Sequence, residues 1–191
     1  YYSTSFSSGN PSWGTATKAI TNTAGTAQAR TQFSATVWNN RIYVVGGYDA
    51  TPTAQATVLA SPQLSSGGDI TANWSSGSTS FAAGRVGLAT LAYANNLYIF
   101  GGYDGTNYLS DVQFSQINST TGDAGSWTYS TSLPNMVRDG DAFAANGYVY
   151  VVGGRSATST CRSSTVFAPI SANTTIATGN NATGVGEWYE T

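Results

Sequence analysis

Short apolar runs that end in two glycines dominate the pattern of hydrophobic and polar positions in this chain. The middle run, LYIF at residues 97–100, follows an Asn-Asn pair that is suited to a tight turn. Four consecutive strand formers after a turn predict a buried strand that follows a hairpin. Gly101 and Gly102 predict crowded packing at the strand end, because glycine lets the backbone take positive φ or lie close to another chain.

The same pattern occurs three times, and its period of about 50 residues is typical of a blade of four strands. The other two copies are RIYVVGG at residues 41–47 and YVYVVGG at residues 148–154. Three further landmarks keep this period: a tyrosine three residues before each glycine pair (Tyr43, Tyr98 and Tyr150), an arginine 15 or 16 residues before it (Arg30, Arg85 and Arg138) and a closing tryptophan (Trp74, Trp127 and Trp188).

The unit GGYDGTNYLSDVQFSQINSTTGDAGSW, residues 101–127, resembles a kelch repeat. It has the double glycine, a short polar loop followed by Tyr108, a strand and then a tryptophan. The resemblance spans nearly the whole chain and implies an all-β, kelch-like β-propeller built from four-stranded antiparallel blades. It implies strands a to d of the first complete blade at about residues 33–38, 42–46, 57–62 and 73–77. The first unit departs from the pattern at Thr53 and Ala54, and the third is lengthened around Cys161 and residues 173–184.

In this register the chain divides into a half blade at residues 1–28, with strands c and d, and three complete blades at 29–80, 81–133 and 134–191. Propellers usually close with four to eight blades, so three and a half do not make an ordinary ring. We therefore expect the chain to be a fragment of a longer polypeptide, and a start at Tyr1 without an initiator Met agrees with this expectation.

Charge is sparse, at 8% of residues against about a quarter in typical proteins. The seven Lys and Arg are spread along the chain and do not make the basic patch that a nucleic-acid partner needs. No apolar run approaches the roughly 18 residues of a membrane span. The chain has no histidine, so these residues alone cannot build a Ser-His-Asp site, a Cys-His pair or a histidine-bound zinc or copper.

We do not expect the chain to be an enzyme or to hold a cofactor or a resident metal. A glycosidase needs two facing carboxylates, whereas Asp139 and Asp141 stand two residues apart in a predicted loop and are more typical of solvated charges. Calcium takes six to eight oxygen ligands, and Asp104 and Asn107 offer only two side chains. Ser and Thr make up 51 of the 191 residues, a bias typical of secreted and cell-surface β proteins and equally of chains that gain solubility without charge. We expect an extracellular or cell-surface location.

The resemblance also implies a binding face. In kelch propellers the loops between strands b and c, and those between strand d and the next strand a, emerge on one side, where partners commonly bind. The candidate binding residues are Arg30, Tyr48, Asp49, Arg85, Tyr103, Asp104, Arg138, Asp139, Asp141 and Arg155. Under the alternative interpretation, Arg30, Arg85 and Arg138 are repeat elements that fix blade spacing by pairing with carbonyls or carboxylates. The three periodic tyrosines are predicted to be core residues.

The favoured hypothesis is a non-catalytic recognition or adhesion module for a protein or a glycan. A second hypothesis is the propeller portion of a carbohydrate-active or galactose-oxidase-like enzyme whose catalytic residues lie outside this chain. Galactose-oxidase-like enzymes hold copper with histidines and tyrosines, and this chain supplies tyrosines only. A third hypothesis is an architectural unit that binds copies of itself in a surface assembly.

Overall fold

The computed structural model describes residues 2–7, 10–14, 19–157, 160–170 and 185–191. All regular elements in these ranges are β-strands, so no helix that could span a membrane occurs in them. The strands are β1 Tyr2–Ser7, β2 Asn10–Gly14, β3 Ser34–Trp38, β4 Arg41–Val45, β5 Val58–Ala60, β6 Ala89–Tyr93, β7 Asn96–Tyr103, β8 Tyr108–Ile117, β9 Ala124–Ser130, β10 Asp141–Ala145, β11 Tyr148–Val152, β12 Arg155–Ala157, β13 Thr160–Cys161, β14 Thr165–Pro169 and β15 Tyr189–Glu190.

Three antiparallel sheets form consecutive propeller blades, which confirms the predicted fold class. Blade 1 contains β3, β4 and β5, blade 2 contains β6 to β9, and blade 3 contains β10, β11, β14 and β15, each in chain order across the sheet. Strands β12 and β13 form a small hairpin between the second and third strands of blade 3. Strands β1 and β2 pair with each other, in the region predicted to be a half blade; the boundaries of that half blade stay a prediction.

The first two strands of every blade are joined by a two-residue turn. Its residues are Asn39 and Asn40, Ala94 and Asn95, or Asn146 and Gly147, and all six have positive φ. Two positive φ angles match the right-handed twist of the flanking strands, which explains the asparagines and the glycine. In blade 2 the turn lies one residue earlier than the predicted Asn-Asn pair, because Asn96 is already paired with Tyr93 in the sheet.

The fourth strand of blade 1 differs from the prediction at residues 73–77. It is reduced to one antiparallel bridge, in which Ser75 and Ala60 exchange two backbone hydrogen bonds of 2.8 Å. The neighbouring strand β5 ends at Ala60, and two residues later Pro62 has no N–H to continue the pairing. Trp74 is nevertheless buried, packed with Val44 and Leu59.

The hydrophobic core lies between the blades. Neighbouring residues of a strand point to opposite faces of the sheet, so one strand serves two interfaces. One buried cluster joins blades 1 and 2 and includes Tyr43, Val45, Leu97 and Ile99, and another joins blades 2 and 3 and includes Tyr98, Phe100, Val149 and Val151. Full burial of a side chain such as Phe100 contributes about 1.5–3 kcal/mol. Burial also raises the pKa of Tyr98 to about 12.

The double glycines of blades 1 and 2 are the places where each of these blades touches the next one, which agrees with the crowded packing predicted at the strand ends. A Cβ on Gly46 would lie 2.6 Å from the carbonyl oxygen of Arg85 in blade 2, and one on Gly101 would meet the carbonyl oxygen of Val137. The glycine that follows each of them donates its N–H to the same carbonyl, at 2.9 Å in blade 1 and 2.7 Å in blade 2. A side chain at the first glycine would therefore push the next blade away.

Blade 3 has an uncovered face in the described part of the chain, and this corrects the prediction for Tyr150. Tyr43 and Tyr98 are 0% and 1% exposed, whereas Tyr150 is only half-buried. Tyr98 stacks on Phe114 of its own sheet with ring centroids 5.6 Å apart, and Tyr150 stacks in the same way on Phe167 at 5.8 Å. The difference is that Tyr43 and Tyr98 belong to buried clusters that include residues of the following blade. The sequence pattern of this strand is the same in all three blades, so the presence of a neighbouring blade decides how deeply its tyrosine is buried.

Candidate functional site

Backbone pairing brings together the two sets of loops that were predicted to share a face. Antiparallel bridges join Thr31 to Tyr48 in blade 1, Val86 to Tyr103 in blade 2 and Arg138 to Arg155 in blade 3. In each bridge the first residue precedes strand a, and the second lies just beyond the glycine pair. We call the surface built by these loops the loop face; it comprises residues 30–33, 48–55, 85–87, 103–108, 138–140 and 155–157.

Three residues with left-handed backbone link the blades at the loop face. Gln32, Gly87 and Asp139 have φ of 52°, 60° and 59°. The N–H of Gly87 donates to the carbonyl of Gln32 at 2.8 Å, and the N–H of Asp139 donates to the carbonyl of Gly87 at 2.7 Å. A Cβ on Gly87 would contact Asp139 Oδ1 and lie 2.8 Å from Arg138 Cγ. The glycine therefore leaves the space that these two charged side chains occupy.

Five side chains from three blades meet there, and we call them the arginine cluster: Gln32, Tyr103, Arg138, Asp139 and Arg155. Arg138 donates from Nη2 to Gln32 Oε1 at 2.6 Å, and its guanidinium lies 5.0 Å from the centroid of the Tyr103 ring. Asp139 forms ion pairs with both arginines, with Oδ1 3.4 Å from Arg138 Nε and Oδ2 2.6 Å from Arg155 Nη2. Two guanidinium groups and one carboxylate leave a net positive charge in a protein whose formal charge is −2.

The predicted candidate Arg85 is buried and serves the blade itself. Its side chain is 2% exposed and binds Asp111 at two points, 2.7 Å from Nη1 to Oδ1 and 3.1 Å from Nη2 to Oδ2. It also donates to the carbonyls of Gly101 at 3.0 Å and Ala83 at 3.2 Å. This geometry agrees with the alternative interpretation of Arg85 as a repeat element.

Arg30 holds the matching position in blade 1, with weaker partners. Its Nη2 lies 3.3 Å from Thr57 Oγ1, and Nη1 donates to the carbonyl of Ala29 at 3.1 Å. Burial lowers the pKa of Arg30, and the charge of Asp49 opposes that shift. Thr57 therefore stands where blade 2 has the carboxylate of Asp111.

The three periodic arginines are not equivalent, which corrects the reading of the sequence. Gly47, the second glycine of blade 1, donates its N–H to the carbonyl of Arg85, and Gly102, the second glycine of blade 2, donates its N–H to the carbonyl of Val137. Val137 is thus the counterpart of Arg85, and Arg138 lies one position farther along. Arg138 lies 15 residues before the first glycine of its pair, whereas Arg30 and Arg85 lie 16 residues before theirs. Because of this shift of one residue, the side chain of Arg138 points into the arginine cluster.

Asp49 and Asp104 build the turns of their loops. Asp49 Oδ1 accepts the N–H groups of Thr51 and Thr53 at 2.9 and 3.0 Å. Asp104 Oδ1 accepts those of Thr106 and Asn107 at 2.8 and 2.7 Å. Hydrogen bonds to the charged form lower the pKa of both carboxyls. This is the local role that Asp commonly has in turns.

The two other carboxylates predicted for the face have separate surroundings. Asp139 belongs to the arginine cluster, whereas Asp141 is exposed and accepts the N–H of Ala142 at 2.8 Å. In the described ranges, no three acidic or Cys residues are grouped so that they could hold a metal ion.

A groove that the sequence did not predict lies beside the arginine cluster. It has a volume of about 320 Å³ and is lined by Arg85, Tyr108, Ser110, Asp111, Tyr129 and Met136. We call it the tyrosine groove. Tyr129 and Met136 are 60% and 46% exposed, although both are large apolar side chains. Their only signal in the sequence is an apolar residue two positions after Trp127 and another in a predicted loop.

A larger groove of about 600 Å³ lies at the opposite end of blade 2, among side chains such as Asn95, Gln116 and Asn118. Its amides are engaged locally. Asn118 Oδ1 accepts the N–H groups of Thr120 and Thr121 at 2.8 and 3.0 Å, and Asn95 Nδ2 donates to the carbonyl of Ile117 at 2.8 Å. These contacts shape the hairpin ends, so we assign the candidate site to the loop face.

Comparison with known proteins agrees with the geometry. The kelch motif matches residues 29–59 and 84–113, each of which runs from before strand a into strand c. No curated protein matches the sequence. Among solved structures, the chain is similar to the structure of YjhT, a kelch-type propeller, with a TM-score of 0.59 and 13% identity. That match covers 75% of this chain and 44% of the YjhT chain, so this chain spans less than half of it. At this identity the likeness shows the fold alone.

Proposed function

Because this chain is a kelch-repeat protein, we propose that it is a non-catalytic recognition module that binds a partner protein through the loop face. The observation that carries the proposal is the arginine cluster, which unites side chains of three blades at one partly exposed point. Arg155 and Asp139 are 33% and 40% exposed at their side chains, so a partner can reach both. Tyr and Arg are the residues that most often dominate the binding energy of protein interfaces.

The charge of the cluster indicates the chemistry of the partner. Guanidinium groups bind carboxylates with charge-assisted hydrogen bonds, and the surplus positive charge favours an acidic segment. Arg138 is 13% exposed and fixed by Gln32, Tyr103 and Asp139, so it is held in place before the partner arrives. Such preorganisation lowers the entropy cost of binding.

The location and the absence of catalysis belong to the same proposal. We place the module outside the cell or at its surface, on the basis of its Ser- and Thr-rich, charge-poor composition. The Asp139 carboxylate is engaged by two arginines, which disfavours it as a general base or nucleophile. The enzyme and assembly hypotheses stay alternatives, and a glycan is the alternative ligand.

The test is selection of binders to the immobilised 191-residue chain from a random peptide library, with a glycan array in parallel. We expect the enriched peptides to carry acidic residues and to bind more weakly at high salt. Their affinity for the Arg155→Gln variant should be about tenfold lower than for the unmodified chain. Arg41→Gln is the matched control: it removes the same charge at the β3–β4 turn, where Arg41 donates to the carbonyl of Ser61 at 2.9 Å, and it should bind normally.

Two results would overturn the proposal. One is the absence of peptide binders, and the other is equal binding by the Arg155→Gln and Arg41→Gln variants. A glycan whose binding alone depends on Arg155 would replace the protein partner with the alternative ligand.

A further inference from the structure

We infer that the tyrosine groove binds a bulky, uncharged side chain from the same partner segment whose acidic residue contacts the arginine cluster. The inference rests on the proposed function and adds a second, chemically different contact to it. The partner motif would then pair an acidic residue with a large apolar residue a few positions away.

The floor of the groove is electrically balanced. Arg85 and Asp111 satisfy each other at two points, and Gln113 Nε2 donates to Asp111 Oδ2 at 2.6 Å. A charged ligand group would lose part of its hydration there without gaining a free opposite charge, which disfavours its binding. An uncharged side chain avoids this cost, so the floor selects against charge.

The walls of the groove favour an apolar occupant. Tyr129 is 60% exposed and Met136 is 46% exposed, and both face the same opening as Tyr108. Aromatic residues and Met are enriched in the centres of protein interfaces, and the flexible Met side chain adapts to different shapes. The volume of about 320 Å³ is at the lower end of the range for ligand pockets, which suits a side chain better than a cofactor.

The groove adjoins the arginine cluster through the contact between Tyr108 and Tyr103. The guanidinium of Arg138 lies 5.0 Å from the Tyr103 ring, whose centroid is 5.2 Å from that of Tyr108 at the groove wall. Tyr103 is held by a hydrogen bond of 2.7 Å from its hydroxyl to the carbonyl of Gly105. The Arg138 guanidinium and the Tyr108 ring are therefore at most about 10 Å apart, a distance that an extended segment covers in roughly three residues.

The experiment uses the peptides selected on the intact chain and replaces each of their residues with Ala. We expect one large apolar position, two to four residues from the acidic one, where Ala lowers affinity at least about tenfold. The Tyr129→Ala variant should bind the parent peptide as weakly as the unmodified protein binds that Ala peptide. It should bind the Ala peptide with the same affinity as the unmodified protein does. Tyr189→Ala is the matched control, because Tyr189 is 53% exposed on the last strand of blade 3 and lies outside the groove; it should change neither affinity.

The outcomes separate this inference from the proposed function. Peptides that depend on Arg155 but show no apolar position, or that bind Tyr129→Ala normally, refute the groove and leave the recognition module in place. Equal losses with Tyr129→Ala and Tyr189→Ala, or a neutral glycan whose binding requires Tyr129, also overturn the inference. Failure to select any peptide refutes both.

Discussion

Arg85 and Asp111 form a two-point ion pair inside blade 2, at 2.7 and 3.1 Å, with the arginine almost fully buried. The pair ties the loop that enters the blade to the start of its third strand, β8. It also supplies the neutral floor of the tyrosine groove. The same contact therefore holds the repeat together and shapes the candidate site.

Removal of one partner of this pair should destabilise the protein strongly. Asp111→Ala leaves a buried guanidinium without its carboxylate, and we expect a loss of about 3–5 kcal/mol in the free energy of unfolding, measured in urea. Thr57→Ala is the control, because Thr57 holds the same position beside the half-buried Arg30 and should cost less than about 1 kcal/mol. Equal losses would show that the carboxylate has no special role.

The first glycines of two pairs should differ in their tolerance of a side chain. Both have positive φ, 56° at Gly101 and 63° at Gly153, so Ala costs about 1 kcal/mol at either position. A Cβ on Gly101 also meets the Val137 carbonyl of blade 3, whereas among the described residues one on Gly153 meets only the Arg162 carbonyl oxygen at 3.9 Å. We expect Gly101→Ala to lower the urea midpoint far more than Gly153→Ala. A similar midpoint for the two variants would contradict the role of Gly101 in blade contact.

The periodic tyrosines should report which blade faces are covered. Tyr98→Ala opens a cavity between blades 2 and 3, and we expect it to cost about 3–5 kcal/mol, as large core truncations do. Tyr150→Ala removes a half-buried ring and should cost about half as much. The comparison requires urea unfolding of both variants under one set of conditions. Equal costs would indicate that the Tyr150 face is covered in solution.

Acid should weaken the turn that Asp104 builds. Hydrogen bonds lower its folded pKa below the usual value, so its contribution to stability is present above the unfolded pKa, about 4, and is lost as the pH falls through the folded pKa. Asp104→Asn keeps an acceptor oxygen but does not titrate. We expect this variant to lose less stability than the parent protein as the pH falls below about 4, measured by urea unfolding at each pH. Parallel pH profiles would contradict the prediction.

Much of the fold could be predicted because each of its signals is local. The turns with positive φ need Asn or Gly, the strands need apolar runs, and the glycine pairs mark where a neighbouring backbone passes. The reduced fourth strand of blade 1 could not be predicted, because it depends on how far β5 runs before Pro62. Tyr150 could not be placed either, since its strand has the same pattern as the buried copies.

The candidate site was predictable only as a surface. The sequence by itself determined that loops rich in Tyr, Asp and Arg recur with the period of the blade, because repeats bring equivalent loops to one side. Only the tertiary structure decided what each side chain does there. It buries Arg85 in an ion pair, commits Asp49 and Asp104 to turns, and turns Arg138 toward Tyr103. The reason is physical: a shift of one residue redirects a side chain, and a contact between blades depends on two distant segments that no local pattern compares.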